Sequence, residues 1–141
     1  MSDYDVRDFL PYLLNQAAEL SSLGFAREYK DRYGLLRTEW RVLFHLGIYG
    51  VMTASEIGAR ARIHKTKISR AVARLESRRF LTRETASEDR RREHLRLTPA
   101  GQAAYADLRG VAERYEARLL EGFSGTEAAA LRRALRRLGQ G

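Results

Sequence analysis

Between Thr53 and Pro99 the apolar period of this chain changes once, and the order of that change leaves few architectures open. Thr53-Ala-Ser-Glu56 has the form of a capping box: a hydroxyl accepts from the backbone N–H three residues on, and the Glu carboxylate reaches back. Ile57 follows as a core residue, and the small Gly58 and Ala59 let another helix cross closely. A turn over Arg62–Lys65 precedes a second helix, Thr66–Arg79, with Ile68, Val72 and Leu75 at helical spacing. From Phe80 apolar and polar residues alternate instead. Leu81–Thr85 and Glu93–Leu97 read as half-buried strands, joined by the charged turn Ala86–Arg92. Thr98-Pro99 then starts a helix, with Thr as N-cap and Pro in the first turn. Two short helices followed by such a hairpin make a helix-turn-helix with a wing.

The flanks are helical. Phe9, Leu13, Ala17 and Leu20, joined by Leu10 and Leu14, line one face of a helix over Val6–Arg32, where Gly24 is placed to bend or interrupt it. Glu39–Leu46 forms a helix with Trp40, Leu43, Phe44 and Ile48 on one side, ended at Tyr49-Gly50. After the hairpin, Leu108, Val111 or Ala112, Tyr115 and Leu119 run along a long helix that Gly122–Gly125 breaks. Ser124-Gly-Thr-Glu127 is a second capping box. It opens a terminal helix with Leu131, Leu135 and Leu138 opposite Arg132, Arg133, Arg136 and Arg137. The expectation is a mainly α fold with a small two-stranded β-wing, one domain over residues 1–141. Its winged helix-turn-helix covers about 35–98, with dimerisation helices at about 5–32 and 99–139. The apolar stripes of the terminal helices exceed what one chain can cover, which predicts a symmetric homodimer.

Charge points to the partner. Ala54–Arg96 holds thirteen Lys/Arg against six Asp/Glu, whereas the rest of the chain holds thirteen against twelve. Nearly all of the net charge of +8 therefore sits on the helix-turn-helix and wing. Phosphates attract such a field and released counterions supply affinity, so double-stranded DNA is the expected partner. With no Cys and only the scattered His45, His64 and His94, neither a metal site nor thiol chemistry is expected. No phosphate loop or nucleophile motif stands out, which argues against an enzyme and against a cofactor. The N-terminus carries acids where a signal peptide needs bases, and no run of eighteen apolar residues occurs, so a cytoplasmic protein without a membrane partner is expected.

Several of these segments together resemble the MarR family of bacterial transcriptional regulators over roughly Leu35–Gln102. Trp40-Arg-Val-Leu43, Thr53-Ala-Ser-Glu-Ile57, Ser69-Arg70 and Arg74-Leu75-Glu76 carry the likeness, followed by Asp89-Arg90-Arg91 and Leu97-Thr-Pro-Ala-Gly101. Two places depart from the family pattern. Arg78-Arg79 stands where a Lys-Gly pair is common, so the exit turn must form without glycine; Thr38 is left to cap the second helix.

The resemblance implies a recognition helix in the major groove and a wing at the minor groove of an inverted repeat. Thr66, Lys67, Ser69, Arg70 and Arg74 lie off the apolar stripe or near its edge and can face DNA. Lys65 and Lys67 suit phosphates or base edges, Thr66 and Ser69 suit phosphate oxygens, and Arg70 has the fork for guanine O6/N7. Ser55, at the start of the preceding helix, is an expected phosphate contact through its hydroxyl and the helix N-terminus. At the wing, one of Arg90, Arg91 and Arg92 projects, while Asp89 holds the loop. The resemblance further implies a repressor released by a small aromatic or carboxylic effector. Tyr12, Asn15, Gln16, Trp40, Phe44 and His45 are its candidate lining, with Arg37 or Arg41 for a carboxylate. The competing expectation is a winged-helix protein–protein module that does not bind DNA; a gel shift with the upstream region separates the two.

Overall fold

Caps and turn residues set where each element begins and ends. The computed structural model describes residues 5–86 and 89–140, the side chains of 86 and 89–92 excepted. A short 3-10 turn at Val6–Asp8 leads into α1 (Leu10–Tyr33), followed by α2 (Arg37–Tyr49), β1 (Met52–Thr53), α3 (Ala54–Ala61) and α4 (Lys65–Ser77). The wing strands are β2 (Leu81–Ala86) and β3 (Asp89–Leu97), and α5 (Pro99–Leu119) and α6 (Gly125–Gly139) complete the chain.

Helix α1 runs unbroken through Gly24. The glycine is there for close approach: a Cβ would lie 2.3 Å from the Tyr115 hydroxyl oxygen. That hydroxyl donates to the Ser21 carbonyl at 2.6 Å and so pins α5 against α1. Farther along the same pair, the Tyr33 hydroxyl donates to the Asp107 carboxylate at 2.6 Å.

Helix α2 buries Glu39, Val42, Leu43 and Leu46. Ile48, expected on the buried side, is 57% exposed because the inward arc runs through Val42 and Leu46 instead. Thr38 does not cap this helix. Leu36 is the N-cap, without a side-chain hydrogen bond, and Thr38 lies inside the first turn.

Thr53 caps α3 as expected, its Oγ1 accepting from the Glu56 N–H at 3.1 Å. The Glu56 carboxylate takes the Thr53 hydroxyl rather than the backbone N–H, so the box closes only in part. Helix α4 starts at Lys65, one residue before the expected Thr66. His64 is its N-cap, Nδ1 accepting from the Thr66 N–H at 3.2 Å. It stops at Ser77, ahead of Arg79. There the Arg79 N–H donates to Glu76 O at 2.9 Å and the Phe80 N–H to Leu75 O at 2.9 Å. These two bonds form a Schellman cap with Arg79 in the left-handed position, at φ 63°.

The sheet is antiparallel, ordered β1-β3-β2, with Leu81 opposite Leu97 and Met52 opposite Leu95. The two-stranded wing is present and gains the two-residue strand β1 at its inner edge. Beneath it Leu43, Leu46, Ile57, Ile68, Leu75, Leu81, Leu95 and Leu108 are fully buried, joining α2, α3, α4, α5 and the sheet in one core. Thr98 caps α5, accepting from the Gly101 N–H at 3.0 Å. Ser124 and Glu127 close both halves of the capping box on α6. Leu131, Leu135 and Leu138 of α6 are exposed in the protomer, as are Phe9, Leu10, Leu13 and Leu20.

Candidate functional site

The apolar residues of α4 divide it into two faces. Ile68, Ala71, Val72 and Leu75 are buried, whereas Lys65, Thr66, Lys67, Ser69, Arg70 and Arg74 are exposed. At about 100° per residue, Thr66 and Arg70 lie on the line opposite the buried arc. Ala73, a residue that no sequence signal marks for contact, shares that line and is exposed. Arg74 sits to one side of it. Its Nη1 lies 3.5 Å from a carboxylate oxygen of Glu39, whose side chain is only 3% exposed while that of Arg74 is 61% exposed.

A concavity of about 1060 Å³ lies between α3, α4 and the wing. It gathers three expected contacts, Ser55, Lys65 and Ser69, with Arg83 and His94 of the hairpin. Arg83 holds the wing in place: its Nε donates to Glu76 of α4 at 3.2 Å and its Nη1 to Glu93 of β3 at 3.1 Å. The Glu93 bond, outweighing partial burial, raises the pKa of the Arg83 guanidinium above its ordinary value. Arg96 and Glu84 pair across the strands at 3.2 Å. The side chains of Asp89, Arg90, Arg91 and Arg92 lie outside the described residues.

A second cavity, of about 390 Å³, opens where α1, α2 and α5 meet. It brings together Arg37, Trp40 and Arg41 from the expected ligand set, with Phe25, Tyr29 and Tyr115 added from the neighbouring helices. Trp40 meets Phe25 edge to face, 5.2 Å away at 89°, and is tilted by 32° to Tyr29; behind the lining it stands 4.9 Å from Phe44 at 89°. Burial raises the pKa of the Tyr29 phenol, against smaller opposing effects of Trp40 and Arg37. Burial lowers that of Arg41, and the neighbouring Arg37 charge adds to the effect.

Five expected ligand residues do not line this cavity. Tyr12, Asn15 and Gln16 are exposed on the first half of α1, away from the lining set. Phe44 sits behind Trp40, against Tyr105 at 5.4 Å. His45 is occupied structurally, its Nδ1 donating to the Arg41 carbonyl at 2.7 Å.

Among the described residues no group of three or more His, Cys, Asp or Glu is disposed to hold a metal ion, and no helix is long and apolar enough to cross a membrane.

A sequence model of the MarR family matches residues 33–92. The chain is similar to the uncharacterized HTH-type transcriptional regulator YwoH of Bacillus subtilis, at 29% identity over 118 residues, covering 84% of this chain and 85% of that protein. Its fold matches the crystal structure of the transcriptional regulator PA4135, with a TM-score of 0.80 and 30% identity over 95% of this chain and 98% of that one. It also matches BpsR of Bordetella bronchiseptica, with a TM-score of 0.89 and 22% identity over 99% of both chains.

Proposed function

Because this chain belongs to the MarR family of transcriptional regulators, we propose that it represses transcription as a homodimer on double-stranded DNA and lets go when a small aromatic carboxylate enters the α1–α2–α5 cavity. The observation that carries this reading is the division of α4: its apolar residues are sealed in the core while Lys65, Thr66, Lys67, Ser69 and Arg70 are all exposed.

In the proposed complex α4 lies in the major groove. Arg70 forks onto guanine O6/N7, and Thr66 and Ser69 bond phosphate oxygens. Lys65, Lys67 and Ser55 neutralise or bond phosphates, and Arg74 reaches one with the donors that Glu39 leaves free. One of Arg90, Arg91 and Arg92 enters the minor groove, and Asp89 holds that loop. The exposed leucines of α6 and the apolar start of α1 are the surfaces a second copy would cover. Two copies of α4 about 10 bp apart call for an imperfect inverted repeat. Such a regulator works in the cytoplasm.

The release step draws on the cavity. DNA binding by BpsR is regulated by 6-hydroxynicotinic acid, a heteroaromatic carboxylate. Here a cavity of about 390 Å³ offers aromatic walls with Arg37 and Arg41, which suits the same chemistry.

The test combines sedimentation with gel shifts over a salt series. A dimer whose affinity falls steeply with salt is expected, with a logarithmic slope of about −0.9 per phosphate neutralised. A lone subunit indifferent to DNA even in dilute buffer overturns the proposal, and a flat salt titration removes its electrostatic basis.

A further inference from the structure

We propose that Arg41 couples the cavity to the helix-turn-helix, so that an organic anion seated among the aromatic rings withdraws a hydrogen bond from the turn that aims α4. This rests on the ligand-release reading above. Arg41 lines the cavity, yet its Nη2 donates to the Ala61 carbonyl at 2.6 Å. Ala61 is the last residue of α3, and terminal helix carbonyls have no partner within the helix. Arg62 then turns left-handed at φ 55°, and the Ile63 N–H returns to Gly58 O at 3.0 Å. Residues 62–64 are the whole link to α4. A side chain delivered from α2 therefore caps α3 at the start of the link that orients the recognition helix.

The surroundings make that cap movable. Arg37, one helical turn earlier, lines the same cavity. The lining residues include one carboxylate, Glu116, and Arg132 of α6 already pairs with it. Two guanidinium groups thus share a half-closed aromatic space whose acid is already paired. A carboxylate entering there is a stronger acceptor than a peptide carbonyl, and bidentate capture fixes the guanidinium plane to the ligand. The plane then no longer suits Ala61. An effector shifts an equilibrium only through contacts that differ between the two states, and the Arg41–Ala61 bond is such a contact. Arg41 is in this sense a positioning residue.

Trp40 is the only Trp of the chain and lines the cavity, so its fluorescence reports occupancy without a label. The full chain, Arg41→Met and Arg41→Lys would be titrated with benzoate, with benzamide as the uncharged control. Amide exchange over residues 61–65 and affinity for a duplex selected from random sequences would be followed in parallel. In the wild-type chain benzoate is expected to quench Trp40, speed exchange in the turn and weaken DNA binding about tenfold. In Arg41→Met exchange is already fast, and benzoate weakens DNA binding by about twofold or less. Arg41→Lys keeps the charge without the fork, so quenching persists with intermediate coupling; it also carries the test if Arg41→Met does not fold. A purely structural cap would loosen the turn in Arg41→Met but leave the benzoate effect on DNA undiminished, which overturns the relay while the ligand reading stands. Absence of Trp40 quenching in the wild-type chain overturns the ligand reading, and the relay with it.

Discussion

The buried Glu39 carboxylate of α2 receives the Arg74 guanidinium of α4 across 3.5 Å, and the two ends of this pair differ sharply in exposure, at 3% and 61%. The asymmetry decides what each substitution does. Arg74→Ala leaves a carboxylate in the core without its counter-charge. Breaking a fully buried pair costs 3–5 kcal/mol, and water around Arg74 reduces that here to about 2 kcal/mol. Glu39→Gln leaves the guanidinium in solvent and should cost under about 1 kcal/mol. Urea unfolding of both variants checks the order. Equal losses would mean that Glu39 has other sufficient partners.

The left-handed Arg79 that ends α4 makes a second prediction. A non-glycine residue in that conformation costs roughly 1–2 kcal/mol. Arg79→Gly should relieve this and raise stability by about 1 kcal/mol, after the added freedom of the unfolded chain is counted. The bond from the Thr98 hydroxyl to the Arg79 carbonyl, 2.6 Å long, involves only the backbone of residue 79 and should persist. Arg78→Gly, at φ −87°, should bring no such gain. Thermal unfolding of the two variants distinguishes them.

Tyr33 should make stability sensitive to alkali. Burial, then the hydrogen bond to Asp107 and the Asp107 charge, push its phenol up to about 12 from an ordinary 10. Below pH 10 folded and unfolded chains both keep the proton, and the stabilisation is complete. As pH rises from 10, the unfolded chain ionises first, so the contribution falls and is lost by about 12. Wild type should therefore lose up to about 2 kcal/mol of its margin over Tyr33→Phe across that window. Isothermal urea unfolding at a series of pH values would show it; a margin that does not change with pH contradicts the assignment.

What could be read from the sequence was local. Ile68, Val72 and Leu75 are buried as their spacing predicts, and Thr53, Thr98 and Ser124 cap their helices, because periodicity and capping act within a few residues. His64 is not legible as a cap because an imidazole is not among the preferred N-cap residues. The strand at Met52–Thr53 is too short to show alternation. The cavity depended on contacts far apart in the chain. Its Arg37, Trp40 and Arg41 were expected, but Phe25, Tyr29 and Tyr115 join them only because α1 and α5 cross there, with Gly24 admitting the Tyr115 ring. Periodicity says which face of a helix is apolar, not which ring it will meet. The role of Glu39 is not legible for the same reason, its partner lying 35 residues away.

On DNA, Arg70 and Lys67 should fail in different ways. Thr66, Arg70 and Ala73 share the outward line of α4, whereas Lys67 stands off that line toward the flank where Arg74 also sits. A side chain on the outward line meets base edges when the helix enters the groove, and one on the flank meets the phosphate backbone. Arg70→Ala should cost about 1–3 kcal/mol on the selected duplex and relax base preference at one position of each half-site. Lys67→Ala should weaken binding to all duplexes alike and reduce the salt slope by about one per half-site. Competition gel shifts against random DNA at several salt concentrations separate the two outcomes. If Arg70→Ala lowered affinity equally for the selected and random duplexes, base reading would have to move elsewhere on the α4 line, with Thr66 and Ala73 the next positions to substitute.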